Sequence, residues 1–269
     1  MAVNFSKIRW YIKIWWQSAV VNFSVLSASR IDFLTFVGGK LLRMFFFLIL
    51  VLSIFAKTES LVGYDRGQVL MFFAVMNFID IILQMFWFRG MTDLSRLLQR
   101  GDFDFVLVKP ISPLFWTCFR FFDFFDLTTI PFAIYILWYA WSNLQQSISA
   151  GQVILGLILL ALGLILAFAV NLALVSLSFW TTELENAWWL YRDLAYVSRF
   201  PPEILPIAAR VIFTFIVPML VIVTFPTKGL LGILSWPMIV WAVVCTAIFL
   251  KLALKIWNLA LSRYTSASS

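Results

Sequence analysis

Residues 148–180 read ISAGQVILGLILLALGLILAFAVNLALVSLSFW, and none of these 33 side chains is charged. At 1.5 Å per residue, a helix of this length spans about 50 Å, whereas the hydrocarbon core of a bilayer is about 30 Å thick. The segment therefore predicts a membrane-spanning helix that tilts, bends or protrudes. Gly156 and Gly163 lie close to one face, which favours close approach of another helix, most simply one from the same chain.

The composition of the whole chain is that of a membrane protein. Of the 269 residues, 63% are hydrophobic, 18% are aromatic and only 12% are charged, which is too apolar for a soluble domain of this size. The absence of histidine excludes histidine metal sites, Ser-His and Cys-His nucleophile pairs, and the H-E-x-x-H helix of metalloproteases. Cys118 and Cys245 both lie in apolar stretches and are too few for a disulfide or zinc framework. We therefore expect no catalytic residue, no metal site and no bound cofactor in this chain.

Apolar runs of about 20 residues or more, which is the length that crosses a bilayer, recur along the chain. Together they predict an all-α polytopic membrane protein with six transmembrane helices, within a transmembrane domain of residues 31–264. The six predicted spans are residues 33–56, 68–88, 114–141, 148–180, 205–225 and 230–257.

Lysine and arginine residues are distributed unequally between the two sides of this arrangement. Seventeen of the twenty lie on the side that holds both termini, and the other side holds Lys57, Arg66 and Lys228. Because basic residues near the spans are retained on the cytoplasmic side, both termini are predicted to be cytoplasmic. The net charge of +7 is thus explained by the membrane, so the expected partner is the lipid bilayer and not nucleic acid.

An amphipathic N-terminal segment precedes the first span. Within residues 1–30, one helical stripe is apolar, and lysines lie away from it. This pattern predicts a helix that lies on the inner leaflet, and the alternative is a cytoplasmic helix packed on another protein. No cleavable signal peptide fits these residues, and residues 265–269 are small, polar and expected to be frayed. The stripe comprises Phe5, Ile8, Ile12, Trp15, Trp16, Ala19 and Phe23.

The loop between the second and third predicted spans contains a short amphipathic helix. Residues 89–101 read RGMTDLSRLLQRG, in which Thr92 or Asp93 can cap the start and Gly101 suits a left-handed residue at the end. A helix over residues 91–100 is too short to stand alone in water, so its apolar face needs a surface. That surface belongs either to the bundle of this chain or to a partner protein. The apolar face consists of Met91, Leu94, Leu97 and Leu98.

The sequence that follows this helix resembles the signature of a transporter family. Its residues are Gly101, Asp102, Phe103, Asp104, Leu107, Lys109, Pro110 and Pro113. They resemble the G-x-F/L-D-x-x-L-x-x-P-x-x-P pattern of ABC-2 type exporter permeases, in particular a prokaryotic group of them. Further matches are the proline turns at residues 200–206, 217–218 and 225–226, so the resemblance covers nearly the whole chain.

The resemblance implies a half-transporter in the prokaryotic cell (inner) membrane. Two six-span permeases, either identical or related, pair around a pathway, and two cytoplasmic ATPase subunits bind ATP and magnesium and drive them. Residues 38–40, Gly-Gly-Lys, lack the other residues of a phosphate-binding loop, which agrees with nucleotide handling by another chain. In the family the short cytoplasmic helix is a coupling helix that docks on the ATPase. The residues that carry over to that role are Met91, Asp93, Leu94, Arg96, Leu97, Leu98, Arg100, Gly101 and Asp102.

Two interpretations of the region before the last span are open at this point. Hydropathy predicts a cytoplasmic connection over residues 184–203 and a full span over residues 205–225. The resemblance implies instead a short fifth span over residues 187–200 and a re-entrant helical hairpin over residues 203–225 on the outer side. Arginines within the short span favour the first interpretation, whereas prolines, which break helices, favour the second, and we prefer the second. The prolines assigned to turns are Pro201, Pro202, Pro206, Pro218 and Pro226.

Charged residues also lie within the predicted spans. An ionised group at the bilayer centre costs about 2.5–3.5 kcal/mol on insertion scales, so each of them needs a partner. Arg120 and Asp123, three residues apart in the third span, are within reach of each other on a helix, and Lys40 and Arg43 supply further positive charges. We interpret these residues as ion pairs within one permease or across the permease interface, in preference to a substrate site. The set is Lys40, Arg43, Asp80, Arg120, Asp123 and Asp126.

The predicted function is therefore ATP-driven export of an unidentified substrate through a permease dimer. A secondary transporter is the alternative within transport, although internal repeats and midplane binding residues are not detected in the sequence. A membrane scaffold that does not transport is the alternative from another class, and such a scaffold would tolerate loss of ATPase coupling.

Overall fold

The computed structural model of the protein describes residues 5–27, 30–181 and 187–264. The regular structure of these residues is helical, and the predicted all-α class is confirmed. The α-helices are α1 (Phe5–Ser27), α2 (Arg30–Phe55), α3 (Arg66–Leu83), α4 (Arg89–Arg100), α5 (Asp104–Leu107), α6 (Pro113–Phe119), α7 (Phe124–Leu127), α8 (Ile130–Ser142), α9 (Ala150–Ser176), α10 (Ala187–Ala195), α11 (Ile207–Val211), α12 (Met219–Leu230) and α13 (Trp236–Ser262). Two π turns, Gln84–Phe88 and Ile212–Ile216, continue α3 and α11, and 3₁₀ turns cover Leu177–Phe179, Tyr196–Arg199 and Pro202–Ile204.

Five segments of the described chain are long and apolar enough to cross a membrane. They are Phe33–Phe55, Arg66–Arg100, Phe124–Ser142, Ala150–Phe179 and Trp236–Ser262. The prediction of a multi-pass membrane protein is thereby confirmed, and the first, second, fourth and sixth predicted spans each correspond to one of these segments. The third and fifth predicted spans differ from the structure.

The third predicted span, residues 114–141, is not one helix. Residues 120–123 separate α6 from α7, and α8 follows after a second short break. At the first break, the Oδ1 atom of Asp123 accepts the backbone N–H of Phe125 at 2.9 Å, and the N–H of Asp123 donates to the carbonyl oxygen of Met85. Side chains that bond nearby backbone in this way compete with the regular helix. An apolar run alone does not reveal such a break.

α9 is the central helix of the bundle, and α12 and α13 pack along it. Glycines bring α9 and α12 close together: a Cβ atom at Gly163 would lie 2.5 Å from the carbonyl oxygen of Ile222, and Gly156 and Gly229 lie in the same contact. Pro226, four residues after Ile222, has no N–H to bond that carbonyl group. The glycines of α9 therefore serve close packing within the chain, as predicted.

The fifth predicted span is a bent pair of helices. α11 with its π turn and α12 meet at an angle of 97°, and Pro218 lies at the bend. The Oε1 atom of Glu203, just before α11, lies 2.6 Å from the Nζ atom of Lys228, near the end of α12. Both ends of the pair are thus at the same end of the bundle, so the pair is a hairpin and a full span over residues 205–225 is wrong.

A short segment crosses the bundle before this hairpin. Phe179, just after α9, packs against Phe103, just after α4, with ring centroids 5.3 Å apart, whereas Glu203 lies at the base of the hairpin. The chain between them therefore passes from the end of the bundle near α4, the α4 end, to the opposite end, the hairpin end. α10 and the 3₁₀ turn that follows it form this crossing, in which the Tyr196 hydroxyl accepts a 2.6 Å hydrogen bond from Arg43 of α2.

The prolines assigned to turns have different roles in the structure. Pro201, Pro202 and Pro206 lie at the turns between α10 and α11. Pro226 lies inside α12, so its assignment to a turn is wrong. A proline is tolerated there because the carbonyl group that it leaves without a helical hydrogen bond is packed against α9.

α1 packs against the α4 end of the bundle. Trp15 stacks on an aromatic ring of the π turn after α3, with ring centroids 6.2 Å apart. Ile12 and Trp16 of the predicted stripe are 59% and 61% exposed, so the helix also presents an apolar side away from the bundle. The predictions for the side chain of Phe5 and for residues 265–269 fall outside the described residues.

We predict that Gly163→Ala destabilises the protein, because the added Cβ meets a backbone carbonyl group that cannot move without shifting α12. Overpacking of this kind costs about 1–3 kcal/mol. The measurement is thermal unfolding of the purified protein in detergent. Gly151→Ala, on the same helix, is the control, since the nearest atom to its Cβ is 3.9 Å away. Equal melting temperatures for the two variants would contradict the close α9–α12 contact.

Candidate functional site

α4 is the helix that the sequence predicted over residues 91–100. It continues α3 through the π turn, so the prediction that Thr92 or Asp93 caps its start is wrong. Its end is as predicted, since Gly101 has a φ of 74° and accepts the left-handed conformation without strain. The segment Arg66–Arg100 is therefore one helical unit that runs from the hairpin end to the tip of α4.

The apolar face of α4 is covered by the chain itself. Met91, Leu94 and Leu98 are buried in a cluster with residues of α6, α9 and α13, of which Trp257 is the largest. Gly90 lies directly under α6, where a Cβ atom would overlap the carbonyl oxygen of Thr117. Of the two surfaces considered for this face, the bundle of the same chain supplies the one observed. These three side chains are therefore inaccessible to a partner.

The opposite side of α4 and the turn after it are exposed. Arg96 and Arg100 point away from the bundle, and beside them Phe105, Leu107 and Val108 are 68%, 43% and 78% exposed. Phe103 and Val106 anchor this segment in the core, so its other side chains are held outward. We call Arg96, Arg100, Phe105, Leu107 and Val108 the α4–α5 surface. The residues assigned to the coupling role from the sequence did not include the helical turn α5 or its exposed apolar side chains.

The remaining residues predicted for coupling lie around this surface. Leu97 is half-buried against the apolar cluster, and Gly101 and Asp102 are half-buried at the turn into α5. Asp93 forms an ion pair with Arg120 at the end of α6. Asp93 therefore holds α4 to the bundle and is only partly available to a partner.

Four of the predicted intramembrane charges form two ion pairs between helices. Lys40 of α2 pairs with Asp126, whose side chain is 1% exposed. Arg43 of α2 lies 3.3 Å from Asp80 of α3. α2 thus supplies positive charge to α3 and α7, and the pairs attach the peripheral first span to the bundle.

Arg120 and Asp123 do not pair with each other. Arg120 pairs with Asp93 of α4, and Asp123 caps the backbone of α7. The reason is the helix break at residues 120–123, which removes the spacing that brings positions i and i+3 onto one face. The prediction of an Arg120–Asp123 pair is therefore wrong.

A further group of arginines surrounds Tyr196 in the fifth crossing. The guanidinium carbons of Arg43, Arg192 and Arg199 lie 5.7, 5.4 and 3.5 Å from the centre of its ring. Cation–π contact of this kind is favourable where water is excluded. Hydropathy assigned Arg192 and Arg199 to a connection, so the sequence analysis did not include them among the intramembrane charges.

The fold and these polar groups define the class of the protein: a multi-pass α-helical membrane protein with ion-paired spans and an exposed surface at one end. A family model described as ABC-2 family transporter protein matches residues 41–268, which is most of the chain. The chain therefore belongs to the ABC-2 family of transporters and is a permease of that type. No curated protein and no solved structure matches it.

We predict that Lys40→Asp lowers the yield of folded protein, because it leaves Asp126 buried beside a second negative charge. Loss of one partner of a buried ion pair costs about 3–5 kcal/mol. The double variant Lys40→Asp with Asp126→Lys restores opposite charges and is expected to recover much of the yield, measured as the monodisperse fraction in size-exclusion chromatography.

Lys57→Asp is the control for this experiment, since Lys57 is exposed in the loop after α2 and should tolerate the change. A double variant that is no more stable than the single variant would show that the contact between Lys40 and Asp126 does not stabilise the fold.

Proposed function

We propose that the chain is the permease subunit of an ATP-driven exporter, that it forms the translocation pathway as a dimer, and that a separate cytoplasmic ATPase docks on the α4–α5 surface. The observation that carries the proposal is the presence of three exposed apolar side chains, Phe105, Leu107 and Val108, beside two arginines at one end of the bundle. Interface cores are rich in aromatic and aliphatic side chains, and arginine is frequent among their strongest contacts. ATP and magnesium bind to the partner in this proposal, and this chain binds no cofactor.

Movement of a partner on this surface would be transmitted by helices that are already packed together. α4 is continuous with α3, and its buried face is joined to α6, α9 and α13. A displacement of α4 relative to the bundle would expose Met91 and Leu94, which is unfavourable. α4 and the helices packed on it therefore move together as a rigid body. A conformational change of the ATPase is transmitted to the membrane helices without a hinge at α4.

The α4 end is the cytoplasmic side in this proposal. Most of the basic residues belong to connections at this end, and Lys57, Arg66 and Lys228 belong to the hairpin end. Arg210, which the sequence assigned to the cytoplasmic side, also lies in the hairpin. Both termini are then cytoplasmic, α1 lies on the inner leaflet with Ile12 and Trp16 toward the lipid, and the hairpin is extracytoplasmic. The location that follows is the prokaryotic cell membrane.

α2 offers a surface for the second permease. Its side away from the bundle is apolar, with Leu34, Leu42 and Phe46 between 56% and 67% exposed. Gly39 lies on the same helix and is exposed, and no atom of another element among the described residues lies within 4 Å of its Cβ position. Because Gly39 has no side chain and the space beside it is open, the backbone of another helix can approach closely there. An identical or a related permease fits this proposal equally.

We predict that Phe105→Asp and Val108→Asp each reduce recovery of the ATP-binding subunit by about tenfold or more, because truncating an interface anchor commonly costs about 2 kcal/mol. The measurement is the amount of ATP-binding subunit, and its ATP hydrolysis, that co-purifies with the affinity-tagged chain in mild detergent. Both side chains are exposed, so the permease itself should fold normally.

Ile233→Asp is the matched control, since Ile233 is a 46% exposed apolar residue at the hairpin end. Leu94→Asp is expected to unfold the protein and cannot report on docking, because Leu94 is fully buried within the chain. Failure of the unmodified chain to recover any ATP-binding subunit would contradict the coupled exporter and favour a secondary transporter or a scaffold.

We predict that a cysteine at Ile204 reacts with a membrane-impermeant maleimide on intact cells, whereas a cysteine at Ser112 reacts only after permeabilisation. Both positions are exposed, at the hairpin end and the α4 end respectively, and the native Cys118 and Cys245 are buried and should give little background. Labelling of Ser112→Cys in intact cells would contradict the orientation. Protection of Ile204→Cys would contradict an extracytoplasmic hairpin.

A further inference from the structure

A cavity of about 410 Å³ lies within the hairpin, between α11, α12 and the start of α13. Its volume falls in the range of about 300–1,000 Å³ that is usual for small-molecule sites. Its charged and polar lining side chains come from Glu203, Arg210, Thr214, Thr224 and Lys228. The other lining side chains are apolar. The site is separate from the α4–α5 surface, which is at the other end of the bundle.

Three polar atoms at this cavity are buried without a hydrogen-bond partner among the residues that the structure describes. They are the Nε atom of Arg210, the Oγ1 atom of Thr224 and the Oε2 atom of Glu203. Thr224 is 2% exposed, so bulk water does not reach its hydroxyl group. Buried polar groups are usually paired with protein or with ordered water, so three such atoms around one cavity are available to a polar ligand.

The charged residues at the cavity determine whether that ligand carries a positive or a negative charge. Glu203 and Lys228 neutralise each other in their 2.6 Å ion pair. Burial raises the pKa of Glu203, but the hydrogen bond and charge of Lys228, together with a backbone hydrogen bond and one from Tyr64, hold this pKa below its usual value. Arg210 has no ion pair with any carboxylate of the described residues. One positive charge is therefore left over, and an anionic group beside Arg210 and Thr224 would neutralise it.

The unpaired oxygen of Glu203 adds a second requirement. A carboxylate oxygen only accepts hydrogen bonds. Lys228 and the hydroxyl group of Tyr64 donate to Glu203, and a ligand with an N–H or O–H group next to its anion can donate to the Oε2 atom, which has no partner among the described residues.

The apolar lining of the cavity continues onto the exposed surface of the hairpin. Ile207, Val211 and Phe215, successive positions on one side of α11 and its π turn, are 71%, 47% and 44% exposed. Met238 of α13 lines the opposite wall. A ligand whose polar head lies at Arg210 would therefore extend its apolar part along the surface that faces lipid.

We propose that this cavity binds a membrane phospholipid whose head group contains a hydrogen-bond donor. The phosphate lies between Arg210 and Thr224, the hydroxyl or ammonium group of the head group donates to the free oxygen of Glu203, and one acyl chain runs along Ile207 and Phe215. Phosphatidylglycerol and phosphatidylethanolamine meet these requirements. Phosphatidylcholine does not, because its quaternary ammonium group has no N–H.

Native mass spectrometry of the purified full-length chain in detergent tests the proposal. The chain is titrated separately with phosphatidylglycerol, phosphatidylethanolamine and phosphatidylcholine of identical acyl chains, and with glycerol phosphate. We expect the first two lipids to bind at least about tenfold more tightly than phosphatidylcholine, which corresponds to one well-formed charge-assisted hydrogen bond.

Equal binding of the three lipids would overturn head-group recognition. Binding of glycerol phosphate as tight as that of phosphatidylglycerol would show that the site holds a free phosphate ester and not a lipid.

Substitutions of residues that line the cavity test whether the lipid binds there. Arg210→Gln and Thr224→Val, which keeps the shape of the side chain, each remove a contact to the phosphate and are expected to weaken the binding of phosphatidylglycerol and phosphatidylethanolamine. Arg66→Gln is the control, since it removes the same charge from an exposed position at the same end of the bundle. If Arg210→Gln does not fold, Thr224→Val is the deciding variant, and unchanged binding of phosphatidylglycerol by a folded Thr224→Val variant would overturn the site. Co-purification of an ATP-binding subunit is measured on the same variants and is expected to be unchanged.

Discussion

The carbonyl group of Ile222 rests against the Cα atom of Gly163, and the arrangement of the whole bundle depends on this contact. Pro226 removes the N–H that would normally bond this carbonyl group inside α12, and Gly163 removes the side chain that would keep α12 away. The proline and the glycine both act on the carbonyl oxygen of Ile222. The Cα–H group of Gly163 can approach this oxygen as a weak hydrogen-bond donor. A backbone carbonyl group inside a membrane helix is costly unless something contacts it, so α12 is best placed against α9.

That placement determines how the chain crosses the membrane. With α12 packed on α9 and its end joined to Glu203, the hairpin enters and leaves at one end of the bundle. The short α10 and the 3₁₀ turn after it must then cross the bundle, although they contain Arg192 and Arg199. Their charges lie over the Tyr196 ring, and Arg43 donates to the hydroxyl group of the same tyrosine. A crossing that hydropathy does not recognise is thus stabilised by contacts with α2.

The sequence predicted those features that depend on local composition. Long uncharged runs predicted the main spans, Gly101 predicted the end of α4, and the spacing of Gly156 and Gly163 predicted a close helix contact. Features that depend on which elements meet were not predictable in this way. Arg120 has Asp123 three residues away, yet it pairs with Asp93 because a capping interaction breaks the helix between them. Tertiary structure determines the partners of Arg120 and Asp123. The helical spacing of residues in the sequence carries no information about such long-range contacts.

At the candidate site too, the sequence of the amphipathic helix α4 could not predict which elements contact each other. An apolar face predicts that something covers it but does not identify what does, and Met91, Leu94 and Leu98 are covered by the same chain. This burial gives the exposed side of α4 its rigidity. A short helix that buried its apolar face only in a partner would be free to fold or detach when the partner left. Because α4 is already attached to four other segments, the α4–α5 surface exists before any partner binds, and a docked protein can push on the bundle without first ordering it.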